Sequence, residues 1–356
     1  MNPRRKCLAL IAIFFLGCFG LMPAAQAVDR VYRLLIVDSQ KGEPYQSVRE
    51  AMLKELEKNG YRVGVNLLVK HYSIGNQEGA TRSIWEIEKD LPYDAIFSNG
   101  TMATIGLHKL AADDRRHKVV FGAFTDPVGE AVIDRFDAPP KGNFTGVCYP
   151  VKISERLRFI RQVMPNAKVI GLIDTEMPQS KSYRRWIEEA LKTAEFKDMQ
   201  LLVRTVPFVR GEEGHRRMAE LAKNYVNELN PKVDFFLACN DQMCVQREFS
   251  EVVAKHASKP LVALSKKEVV EGWGGAMSIY PDQEAGGRMV AGMIVQLFKG
   301  KPVQTIYPRW PPVGYAFNLN VTGKFGIRVP QKLIEAAGRD AIDIIFVPKI
   351  DNGDKN

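Results

Sequence analysis

Along most of the chain, short apolar runs give way in turn to segments whose apolar residues recur at helical spacing. Val31-Tyr32-Arg33-Leu34-Leu35-Ile36-Val37 reads as a strand running into the polar loop Asp38-Ser39-Gln40-Lys41-Gly42. Residues 48–59 read as a helix, with Val48, Met52, Leu53 and Leu56 on one face and Gly60 as its stop. The pattern then predicts a strand over 66–72, a helix over 81–89 and a strand over 95–97. That strand enters Ser98-Asn99-Gly100-Thr101, followed by a helix over 104–111 and a strand over 119–124. Such βαβ alternation predicts a parallel, doubly wound sheet covered by helices.

The same succession restarts after Gly146. Helices are expected over 154–163, 183–195, 214–229 and 246–255, and strands over 169–173, 200–206, 234–238 and 261–264. The fold class is therefore α/β, with two similar lobes and a cleft between them, a preferred place for a ligand. Beyond residue 276 the pattern loosens. A helix is expected over 283–298, where Gly286-Gly287 permits close packing, and Lys299-Gly300-Lys301-Pro302 ends it. Residues 308–312 are extended, 330–338 form a last helix and 351–356 a frayed tail.

The N-terminus has a different character. Arg4, Arg5 and Lys6 precede an apolar run from Leu8 to Leu16, then Pro23 and Ala25-Gln26-Ala27. That is the layout of a secretory signal peptide cleaved after Ala27, which places the mature chain, from Val28, in the periplasm. Gly17-Cys18 offers a second reading, a lipoprotein anchored through Cys18. No other stretch reaches the roughly 20 apolar residues that a spanning helix needs.

Net charge is +9, three of the positive residues lying in the signal peptide. Arg184-Arg185 and Arg216-Arg217 fall in amphipathic patterns and read as solvated faces. No basic stretch is interleaved with aromatics, so nucleic acid is not an expected partner. Cys148, Cys239 and Cys244 survive cleavage, an odd number that argues against a complete disulfide framework and for buried thiols. No His stands at ligand spacing from them, so no metal is expected. The five histidines are scattered, and G-x-S-x-G and H-E-x-x-H are absent. The sequence therefore predicts neither an enzyme nor a cofactor.

In open α/β sheets ligands sit at the carboxyl ends of the strands. Here those ends carry Ser39, then Ser98-Asn99-Gly100-Thr101, then Thr125-Asp126-Pro127; in the second lobe they carry Asp174-Thr175-Glu176, Asn240-Asp241 and Ser265. Asn99-Gly100-Thr101 stands before a helix, whose unsatisfied N–H groups suit a carboxylate. Thr101 serves equally well as a plain helix cap, as do Asn240-Asp241, and Asp126-Pro127 as a turn.

These motifs together resemble the ABC transporter substrate-binding family of the tryptophan/tyrosine type. The resemblance runs through Asn99-Gly100-Thr101-Met102-Ala103, Phe124-Thr125-Asp126-Pro127-Val128 and Gly142-Asn143-Phe144-Thr145-Gly146-Val147. It continues through Met164-Pro165-Asn166-Ala167-Lys168, Thr175-Glu176-Met177-Pro178-Gln179-Ser180, Asn240-Asp241, Gly275-Ala276, Gly286-Gly287-Arg288 and Phe298-Lys299-Gly300-Lys301. It implies a type I periplasmic-binding fold whose lobes are joined by hinge strands. On that reading 1–27 is the signal peptide, 28–145 with about 277–302 one lobe, and 146–276 with about 303–322 the other. Residues 323–356 are left unassigned between the two.

The resemblance implies a monomeric receptor that captures a small molecule, an amino acid or similar carboxylate, for an ABC permease of the inner membrane. A sensory receptor for a kinase or chemoreceptor is the alternative, with an exported enzyme ranked behind it. Ser39, Asn99, Thr101, Thr125, Asp126, Gln179, Ser180, Asn240 and Asp241 are the expected ligand contacts. The helix start at Thr101 would take the carboxylate, and Asp241 or Asp126 the ammonium.

Overall fold

The structure, a computed structural model, describes residues 30–345. The signal segment, Cys18 and the tail from 351 lie outside the described residues.

The first sheet is built from β1 (Tyr32–Asp38), β2 (Leu67–Ser73), β3 (Ala95–Asn99), β4 (Val119–Phe124) and β5 (Phe144–Cys148). Their order is β2-β1-β3-β4-β5, and all the pairings are parallel. Successive strand residues face opposite sides, so both faces must be covered. Leu34 and Ile36 pack with Val48, Met52 and Leu56 of α1 (Tyr45–Lys58). Leu35 and Val37 pack with Trp85 of α2 (Glu78–Glu88) and Ala103 and Leu107 of α3 (Thr101–Ala111).

The second sheet repeats that order. It contains β6 (Val169–Thr175), β7 (Gln200–Val206), β8 (Phe235–Ala238), β9 (Leu261–Val262) and β10 (Met277–Pro281). Within it β7-β6-β8-β9-β10 run side by side, and β11 (Val313–Asn318), antiparallel to β10, and β12 (Ala341–Ile342) extend the edge. The intervening helices are α4 (Ile153–Val163), α5 (Pro178–Leu191), α6 (Gly214–Leu229), α7 (Arg247–His256) and the short α8 (Lys267–Val270).

Helix α9 (Gln283–Phe298) leaves the second sheet and returns to pack on α1. Gly287 makes that approach possible, since a Cβ there would lie 2.8 Å from the Ala51 Cβ and 3.0 Å from the Met52 nitrogen. The chain thus passes between the lobes after β5, between β10 and α9, and between α9 and β11. The passages are tied together: Arg309 N donates to Gly146 O (2.9 Å), Cys148 N to Arg309 O (3.0 Å) and Asp282 N to Pro312 O (2.8 Å).

Two expected lobe limits move. Met277–Pro281, expected with the first lobe, is hydrogen-bonded into the second sheet, so the passage falls at Pro281-Asp282. Residues 146–148, expected with the second lobe, complete β5 in the first sheet. The segment left unassigned joins the second sheet through β12.

A buried cation anchors the second sheet. The Arg156 guanidinium is fully enclosed and donates to Ala238 O (3.2 Å), Ala263 O (2.6 Å) and the Tyr183 hydroxyl. It thereby fixes the ends of β8 and β9, from which Asn240-Asp241 and Ser265 continue. Glu268 lies beside this network, and burial pushes its carboxyl up to about 6 despite the N–H groups of Ser265 and Leu264 that it accepts.

Candidate functional site

In the order β2-β1-β3-β4-β5 the connections after β1 and β3 leave on opposite sides of the sheet. Their carboxyl ends therefore open a crevice. Ser39 follows β1, and Asn99-Gly100-Thr101 joins β3 to α3. The second lobe repeats the arrangement: Thr175 ends β6, Gln179 and Ser180 open α5, and Asn240-Asp241 follow β8.

On the first lobe the helix cap comes from a distant strand. Gly100 holds the N-cap position of α3 at φ +105°, a conformation that disfavours any residue with a Cβ. Ser39 Oγ accepts from Ala103 N (3.0 Å), and Thr104 N donates to Gly100 O (3.0 Å). Among the described residues the first-turn N–H groups of Thr101 and Met102 have no such partner. Asn99 is turned inward, its Nδ2 donating to Asp38 Oδ1 (3.0 Å) and Tyr45 O (2.9 Å). Asp38 also takes Arg49 and lies 2.9 Å from His71 Nε2, so a fixed charge braces the base of the crevice. Thr101 Oγ1 reaches Thr125 Oγ1 at 3.3 Å.

On the second lobe Asp241 is the organiser. Its Oδ2 accepts from Thr175 N (3.1 Å) and Ser180 Oγ (3.0 Å), and its Oδ1 from Met243 N (3.0 Å) and Cys244 N (2.9 Å). Four donors of its own lobe fill the carboxylate, which makes it a cap and loop clamp. Gln179 is buried beside it, and its Oε1 has no partner among the described residues. Cys148, Cys239 and Cys244 are free and buried; burial pushes all three thiols well above their ordinary range, away from the reactive thiolate.

The two halves meet. Asn240 Nδ2 donates to Thr125 Oγ1 at 2.8 Å. Arg185 Nη2 donates to Asp126 Oδ2 at 2.7 Å, while Asp126 Oδ1 accepts from Gly129 N at 2.8 Å. Glu43 of the first lobe takes Lys267 and, through its carbonyl, Gln246 Nε2 (3.0 Å). Burial, and then the nearby Asp241 charge, push the Tyr45 phenol above its ordinary range. The lobes are closed on one another.

All nine expected residues are buried, and they lie at strand ends and helix starts of the two lobes. Eight of them fall into two groups. Thr101, Thr125, Asp126 and Asn240 stand where the lobes meet, whereas Ser39, Asn99, Ser180 and Asp241 are engaged in shaping their own lobe; Gln179 joins neither, its Nε2 contacting only Met177 Sδ among the described residues. No cluster of three or more metal-binding side chains occurs among the described residues, and no described helix is long and apolar enough to cross a membrane.

The family model described as ABC transporter substrate binding protein matches residues 39–340. The chain belongs to this family. Among relatives of this substrate-binding protein is the "Tyrosine-binding protein" of Clostridioides difficile (strain R20291). It is 22% identical over 262 residues, which cover 72% of this chain and 70% of the relative. An ABC domain from Streptococcus pneumoniae in complex with L-Trp superposes with a TM-score of 0.73 at 20% identity, over 86% of this chain and 99% of that one. A ligand-free, open substrate-binding protein with adhesive properties from Clostridium difficile gives 0.66 at 17% identity, over 89% and 100%. These structures share its fold.

The cleft of this substrate-binding protein also uses residues that strand-end reasoning passes over. Tyr45 opens α1 and stands against Gly100, where a Cβ would run into its ring. Arg185, read as a solvated helix face, is half-exposed yet reaches across to Asp126; its neighbour Arg184 pairs with Asp174 through Nε at 2.8 Å. Asp126 lies 59 residues away and Asp174 in the preceding strand, so helical spacing alone could not reveal either pairing.

Proposed function

We propose that this chain is an exported receptor that closes its lobes on an α-amino acid and delivers it to an ABC permease of the inner membrane. The observation that carries the reading is the meeting of the α3 start with Asn240 through Thr125, at the point where both sheets end. The N–H groups of Thr101 and Met102, with the Thr101 hydroxyl, offer a seat for the ligand carboxylate at the positive end of α3. Asp126 then serves the ammonium, because each of its oxygens carries one recorded donor and retains accepting capacity. Asp241, with four donors in place, orients the loop that presents Asn240. Tyr45 contributes an aromatic surface, in keeping with relatives named for tyrosine and crystallised with L-Trp. Export rests on Arg4, Arg5, Lys6 and the Ala25-Gln26-Ala27 site.

Closure should follow ligand. Small-angle scattering of the purified mature chain, titrated with L-tyrosine and L-tryptophan, is expected to show a more compact particle at saturation. A bound amino acid that leaves the scattering curve unchanged would rule out closure as the mode of capture.

A further inference from the structure

The loop between β7 and α6 extends from the second lobe to the first and ends in a two-pronged contact. Glu212 Oε2 accepts from Lys41 N at 2.8 Å, and Oε1 accepts from Ser73 Oγ at 2.7 Å. Lys41 follows β1 and Ser73 is the last residue of β2, so both donors belong to the opposite lobe. The loop itself is braced. Gly211 turns it at φ +99°, buried Gln242 donates from Nε2 to the Gly211 carbonyl at 3.3 Å, and His215 Nδ1 lies 3.0 Å from the Glu212 carbonyl. Gln242 is the residue after Asp241, so the brace begins inside the cleft.

Its position in the fold gives this contact leverage. β2 and β7 are corresponding edge strands, whereas the first two chain passages follow β5 and β10, four strands away in each sheet. At about 4.8 Å per strand the contact stands roughly 19 Å from those passages. A rotation of about 10° about them would part it by roughly 3 Å, enough to break both bonds.

We propose that Glu212 is a latch residue that holds the closed state and sets how long a captured ligand stays, without touching the ligand. The proposal rests on the receptor reading for its ligand but not for its geometry. Only a carboxylate can accept from a main-chain N–H and a hydroxyl at once with both oxygens, and such charge-assisted bonds are the stronger kind. Breaking them destabilises the closed form alone, so the loss appears in dissociation and not in association.

The test uses the full mature chain with spin labels at Val65→Cys and Lys197→Cys, exposed positions on opposite lobes, and L-tyrosine as probe. In the otherwise unaltered protein the distance distribution should contain the short, closed distance. Glu212→Ala should shift it toward longer distances, speed L-tyrosine release about tenfold and leave the association rate unchanged. Adding Ser73→Ala to Glu212→Ala should change release no further, since the partner is already gone. Unchanged distances and release in Glu212→Ala would overturn the latch, as would the absence of any short distance in the parent protein. If L-tyrosine fails to bind, the amino-acid reading is weakened separately. The distance distributions then decide the latch by themselves: a shift in Glu212→Ala supports it, and no shift overturns it.

Discussion

Gly100→Ala should abolish ligand binding and lower the stability by about 3 kcal/mol. Two costs combine at this position. The residue sits at φ +105°, where a Cβ meets its own backbone. The added methyl would also run into the Tyr45 ring and come within 2.8 Å of the Ser39 Cβ. Ser39 caps α3, and Tyr45 O holds Asn99, so relief of the clash would move both supports of the helix start together. Urea denaturation measures the stability, and calorimetric titration of the still-folded fraction measures the binding. A variant as stable as the parent would mean that α3 does not begin in this conformation.

Asp241→Asn is the second large effect, and it should fall on stability as well as on binding. A strand-end acid that faced only a ligand could be neutralised without harm to the fold. The four bonds to Asp241 reverse that expectation. Asparagine keeps the size but replaces one accepting oxygen with an NH2 group. That group would face either the N–H groups of Met243 and Cys244 or those of Thr175 and the Ser180 hydroxyl. A donor set buried against a donor loses its bonds and its hydration together, a cost of about 3 kcal/mol. The expected result is a lower denaturant midpoint with an unchanged slope, and weakened binding because Asn240 loses its support. Asp126→Asn, by contrast, should weaken binding while leaving the midpoint nearly intact, since its Arg185 partner is half-exposed.

The contrast between these two acids shows what the sequence could reveal. Strand ends were legible because apolar runs such as Val119–Phe124 stop at polar residues, and a parallel sheet collects those stops at one edge. The nine candidates accordingly fall at strand ends and helix starts. Their division of labour was hidden, because it depends on partners far away in the chain: Ser39 for α3, Thr175 for Asp241, Arg185 for Asp126. A helix cap was one of two readings open for Thr101, but the cap position is Gly100 and the capping oxygen belongs to Ser39, 64 residues from the N–H that it satisfies. The strands β5, β10 and β11 were also missed. They carry Gly146, Pro281 and Gly314, which weaken a strand pattern. They hold because neighbouring strands and the passages between the lobes supply the pairing.

The central claim is that the closed cleft is an amino-acid site. Its most direct test is isothermal titration of the mature protein, unfolded and refolded to strip any bound ligand, against L-tyrosine, L-tryptophan and the remaining protein amino acids. The account predicts saturable binding of at least one of them at one site per chain, weakened by Asp126→Asn and lost in Gly100→Ala. Absence of heat with every amino acid, from protein that refolds to its original unfolding midpoint, would contradict it.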